Sequence, residues 1–85
     1  MNKLFIYEYI KRIKRDNIIK FAGDQGIQLD DYELDIIYNY IKNDYRRILS
    51  NPLDVLEEAK EMLSDSTYQK LLELYDKYKD KISQF

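Results

Sequence analysis

The stretch Asp31-Tyr32-Glu33-Leu34-Asp35-Ile36-Ile37-Tyr38-Asn39-Tyr40-Ile41-Lys42-Asn43-Asp44-Tyr45-Arg46-Arg47-Ile48-Leu49 decides the fold. Leu34, Ile37, Tyr38, Ile41, Tyr45, Ile48 and Leu49 fall at the spacing of one apolar helical stripe. Tyr32, Ile36 and Tyr40 recur every four residues on roughly the opposite side. One stripe is enough to dock a surface helix on a core, whereas a second stripe needs a second neighbour. This helix is therefore either the centre of a small bundle or the carrier of a contact surface.

Punctuation on both sides of this helix sets its limits. Asp30 is placed to cap its first turn, with Glu33 reaching back as in a capping box. Asn51-Pro52 closes it, because proline disfavours helix for the residue before it and suits the first position of the next. Working outward, a first helix is expected from about Asn2 to Arg15, with Ile6, Tyr9, Ile10 and Ile13 as its buried stripe. Tyr7 lies off that stripe and Phe5 at its margin. A second, short helix is expected over Asn17–Asp24, capped by Asp16, with Ile18, Ile19, Phe21 and Ala22 as its apolar content. Gly26 is expected to end it in the left-handed conformation, with Ile27 supplying the hydrophobic contact.

The fourth helix is expected from Pro52 to near Leu63, with Leu53, Leu56, Ala59, Lys60 and Leu63 on one side. The fifth is expected from about Thr67 to Ile82, with Ser66 and Gln69 as a capping box and Tyr68, Leu71, Leu72, Tyr75, Tyr78 and Ile82 facing inward. No segment alternates with period two. The expectation is a single all-α domain over residues 1–85: a compact bundle of about five short helices, the third central.

Composition narrows the chemistry. The chain of 85 residues has no Cys and no His, so disulfides, thiolate metal sites and the commonest general base are all missing. Two glycines cannot build a phosphate-cradling loop, and no G-x-S-x-G, Walker A or G-x-G-x-x-G pattern occurs. Asp54, Glu57, Glu58 and Glu61 could hold a hard cation, but they lie opposite the apolar stripe of the fourth helix, where a solvated face belongs. Asp24 to Asp35 has the tone of an EF-hand loop but places Leu29 where glycine is required and Asp35 where glutamate is required. The reading is non-enzymatic, with no cofactor and no small-molecule substrate. No apolar run approaches the roughly 20 residues that cross a bilayer, and the opening lacks a signal-peptide core. A cytoplasmic location is expected.

Nine tyrosines invite thoughts of base stacking, yet Ile, Lys, Asn and Tyr are all abundant here and all have AT-rich codons. Charge is uneven. Residues 1–22 hold six bases and two acids, a net of +4, and the remainder holds eight bases and 14 acids, a net of −6. A basic end can mark nucleic-acid contact through Lys11, Arg12, Lys14 and Arg15, although cations in a helix's last turn also complement its dipole. The turn before the third helix caricatures a helix-turn-helix, but its carboxylates would meet phosphate. Protein contact, by self-association or with an adaptor's partner, is the leading expectation, through Tyr32, Ile36, Tyr40 and secondarily Tyr7.

From Ile13 onward the chain also resembles a known family. The carriers are Asp16-Asn17-Ile18-Ile19-Lys20-Phe21-Ala22, Gly26-Ile27-Gln28-Leu29, Glu33 with Ile36-Ile37, and Tyr75-Asp76-Lys77-Tyr78-Lys79. They are similar to the small YqfT-like proteins of unknown function from Gram-positive bacteria. The resemblance implies a cytoplasmic all-helical protein and brings no catalytic residues.

Overall fold

The computed structural model describes residues 3–82, with side chains described for residues 8–80. Every regular element among them is helical: α1 (Lys3–Arg12), α2 (Arg15–Asp24), α3 (Asp31–Ser50), α4 (Pro52–Ala59), a short 3₁₀ turn (Lys60–Met62) and α5 (Asp65–Ile82). α3 is central. It packs against α1, α2 and α4, while α5 packs mainly on α4. The two-striped helix thus has neighbours on both sides.

Local chemistry explains most boundaries. α2 ends where Gly26 takes φ 75°, with Ile27 N–H donating to the Ala22 carbonyl at 2.8 Å and Gly26 N–H to that of Gly23 at 3.1 Å. This is a Schellman stop, and Ala22 and Ile27 are both buried beneath it. Asp30 caps α3 by accepting from Glu33 N–H at 2.7 Å. Pro52 opens α4 at its first turn.

Several expectations need correction. The first helix does not run to Arg15: Lys14 is extended, and Asn17 Oδ1 accepts its N–H at 2.8 Å, so α2 is capped there and not by Asp16. Lys42 Nζ donates to the terminal carbonyls of α1, Ile10 and Lys11, both at 2.9 Å, which stabilises an early stop with a cation at the negative helix end. α3 is interrupted at Asp44 (φ −126°, ψ 24°), beside Asn43; these short polar side chains compete with the helical backbone for its hydrogen bonds. α4 turns Val55 and Ala59 inward and leaves Leu53 half exposed. α5 starts at Asp65, two residues early, because Ser64 Oγ accepts from Thr67 N–H at 3.2 Å; Ser66 is not the cap.

The core is Ile18, Ala22, Ile27, Leu34, Val55, Ala59, Leu63 and Tyr68. Its polar pin is Glu33, only 5% exposed, whose Oε2 accepts Ser64 N–H at 2.9 Å. Glu33 therefore does not reach back to Asp30 but ties the start of α3 to the start of α5, where a carboxylate meets the positive helix end.

Candidate functional site

α1, α2 and α3 form three sides of an apolar groove that α5 bounds but does not close. Its volume is about 330 Å³. Tyr9 and Ile13 line it from the end of α1, Asn17, Ile18, Phe21 and Ala22 from α2, Ile37 and Ile41 from α3, and Leu71 and Leu74 from α5. Ile27 and Leu29 complete it from the α2–α3 connection. The polar groups among these residues are the Asn17 amide and the Tyr9 hydroxyl. Two aromatics at the groove are largely uncovered: Tyr9 is 63% exposed and Phe21 51%. Tyr9 is accordingly not the buried stripe residue its spacing suggests, and Ile6 lies outside the described side chains.

A polar staple fixes the groove's α1–α2 wall to α3. Asp35, Tyr38 and Lys42 share one face of α3 at i, i+3 and i+7. Asp35 pairs with Arg15 at 3.0 Å, the Arg15 guanidinium lies 4.3 Å from the centre of the Tyr38 ring, and Lys42 holds the end of α1. The pair is solvent-exposed, so its value lies in fixing the elbow more than in stability. Arg15 thus leaves the basic cluster. Arg12 and Lys14 remain exposed around the elbow, and so does Lys11, whose carbonyl accepts from Lys42.

Of the residues favoured for partner contact, Ile36 and Tyr40 line one hollow with Glu58 and Met62, and Tyr32 is not part of it. Tyr32 stands 64% exposed at the start of α3. Ile36 and Tyr40 are half-buried on the side that faces α4, and Tyr40 Oη donates to Glu58 Oε1 at 2.9 Å. Tyr7 lies outside the described side chains. The second stripe of α3 is therefore mostly spent on α4.

Glu58 is the hub of that junction and not a merely solvated carboxylate. Arg47 Nη2 donates to its Oε2 at 2.6 Å, and this bond, then that from Tyr40, holds its carboxyl below the usual range. The same bond raises Arg47, while burial first and Glu58 second raise the Tyr40 hydroxyl. Glu57 is likewise engaged, accepting from Tyr68 Oη at 3.4 Å. Among the described residues no group of three acids converges as a metal site would require. A polar cup at the start of α5, between Gln28, Ser66, Thr67 and Lys70, already has a carboxylate on its Ser64 amide, that of Glu33.

The groove was hidden in the sequence because its lining residues carry the same apolar spacing as core residues. The packing leaves several of them half-covered or exposed. No helix among the described residues is long and apolar enough to cross a membrane. Neither a protein-family model, nor a curated protein, nor a solved structure matches this chain.

Proposed function

We propose that this chain is a non-enzymatic protein-interaction module whose contact surface is the groove between α1, α2, α3 and α5. The observation that carries the reading is an apolar hollow with Tyr9 and Phe21 exposed at its edge. Aromatic side chains beside apolar pockets are the usual energetic anchors of protein interfaces. Apart from the Asn17 amide and the Tyr9 hydroxyl the lining is aliphatic and aromatic, which supports a surface that buries apolar area. The groups with perturbed acidity, Tyr40, Arg47 and Glu58, lie at the α3–α4 junction, away from it. Membership of the YqfT-like family belongs to the same proposal and adds no site residues.

A photo-crosslinking amino acid placed at Phe21, with Glu73 on the outside of α5 as control, tests the reading in cells. Protein adducts from position 21 that are missing from position 73 are expected. Equal or no adducts from the two positions would refute the groove as the contact surface.

A further inference from the structure

The two sides of the elbow at Ile13 and Lys14 are anchored unequally. After it, α2 has supports of its own. Asn17 Oδ1 accepts Lys14 N–H at 2.8 Å, Arg15 is fixed on α3 by Asp35 at 3.0 Å and by the Tyr38 ring, and Ile18 and Ala22 are buried. Before it, none of the described side chains of α1, Glu8 to Arg12, is buried, and Ile10 alone is half-covered. α1 packs mainly on α3. A helix of 10 residues is marginal in isolation, so its order has to come from contacts outside itself.

Lys42 supplies such a contact at the point where α1 ends. Its half-buried ammonium donates to the Ile10 and Lys11 carbonyls, both at 2.9 Å, placing a cation on the negative end of the helix. Bonds from a charged donor are stronger than neutral ones, and here two act on one helix end. The same ammonium stands 5.6 Å from the centre of the Tyr38 ring, which Arg15 covers at 4.3 Å. One aromatic ring on α3 thus neighbours both the clamp on α1 and the clamp on α2.

We infer that α1 is a separable wall of the groove, latched by the Lys42 ammonium and hinged at Ile13 and Lys14. Tyr9 and Ile13 are the residues that α1 and the elbow contribute to the hollow. With the latch released, Tyr9 leaves the hollow and Ile13 turns with it, while Ile18, Phe21, Ile37 and Ile41 remain in place with one side open to water. The groove then has a walled state and an open state, and one lysine on α3 sets the balance between them. The latch belongs to the free chain and does not depend on what the groove contacts, so adduct formation at Phe21 is a separate question.

Amide hydrogen exchange followed by NMR tests this in the wild type, K42M and K42R. Methionine keeps an unbranched apolar stem and removes the charge and the donors, whereas arginine keeps both. In K42M the amides from Tyr9 to Ile13 should exchange about tenfold faster or more, the effect of losing a hydrogen bond to a charged group. Those of Ile18 to Ala22 and Leu34 to Ile41 should change by less than about threefold, the scatter of ordinary substitutions. K42R should stay within about threefold of the wild type at all of these amides. Fluorescence of anilinonaphthalene sulfonate should rise in K42M, as apolar lining is uncovered, and not in K42R. Wild-type α1 amides that are already unprotected, α1 amides unchanged in K42M, or K42R as fast as K42M would each overturn the latch. Acceleration shared equally by α2 and α3 would make α1 part of one cooperative core and overturn its separability. Faster exchange in α1 with no added dye fluorescence would overturn its place as a wall of the groove.

Discussion

Glu33→Ala should be the most damaging single polar substitution in this chain. The carboxylate is 5% exposed, and its Oε2 takes the Ser64 N–H at the first turn of α5. Removing it deletes a hydrogen bond to a charged group, which contributes about 1.5–3 kcal/mol, and leaves the amide of a part-buried turn unpaired. It also removes a carboxylate from the positive end of an 18-residue helix, an effect of about 0.3–1 kcal/mol. Partial access of water to the Ser64 amide offsets some of this, so a loss of about 2 kcal/mol is expected. A domain of this size is stable by roughly 4–13 kcal/mol, so the loss is a substantial fraction. Urea denaturation followed by circular dichroism should show a midpoint lower by about 1–2 M at an unchanged slope near 1 kcal/mol/M. Glu33→Gln keeps an acceptor and loses only the charge, and should fall about midway between wild type and Glu33→Ala. If Glu33→Ala unfolds within about 0.5 kcal/mol of wild type, the typical scatter of surface substitutions, the pin between α3 and α5 is not a stabilising contact.

Other substitutions separate the remaining contacts. Gly26→Ala should cost about 1 kcal/mol by the same urea assay, because φ is 75° while nothing lies within 4 Å of an added Cβ; a loss above about 3 kcal/mol would mean that space and not backbone conformation is limiting. Glu58 has a lowered folded-state pKa, so its contribution is present above the ordinary carboxylate range and fades as pH falls below about 4. Glu58→Gln should therefore shrink the difference in urea midpoint between pH 6 and pH 3, and an unchanged difference would remove Arg47 and Tyr40 as the cause. Ile36→Asp should destabilise the monomer by about 1–3 kcal/mol, since Ile36 is half-buried on the α4 side; an undisturbed fold with lost self-association would return that stripe to interface duty. For the nucleic-acid alternative, a low-salt gel shift of wild type against an Arg12→Ala, Lys14→Ala chain should show no retardation of either, and retardation lost in the variant would establish that alternative.

What could be read from the sequence follows a physical division. The Gly26–Ile27 stop, the Asp30 cap and the Pro52 start involve residues a few positions apart, and sequence alone carries their geometry. The central place of α3 was legible too, since two apolar stripes demand two neighbours. The break at Lys14 was not, because Ile13, Lys14 and Arg15 are acceptable helix formers and the stop depends on Lys42, 31 residues after Lys11. Glu33 misled in the same way: its spacing fits a capping box, but the Ser64 amide, 31 residues on, takes its carboxylate. Leu53 and Val55 exchange roles, with Val55 buried and Leu53 half exposed, a choice between neighbouring apolar positions that spacing alone leaves open. For the candidate site, residues such as Ile37, Ile41 and Leu71 were recognised as apolar and inward. That they would be left half-covered is a property of helix angles, which periodicity does not encode.

The attachment of α5 has a mechanical consequence. Its first turn is clamped, with Thr67 and Tyr68 buried and Ser64 held by Glu33, whereas Leu71, Leu72, Leu74, Tyr75 and Tyr78 are only half-covered. Its anchorage is uneven, with buried side chains at the first turn and half-covered ones from Leu71 to Tyr78. Local opening is least costly where buried contacts are fewest, so the part of α5 after Tyr68 should open before its first turn does. Leu71 and Leu74 lie in that part, so the residues that should open first are also residues that line the hollow beside Phe21.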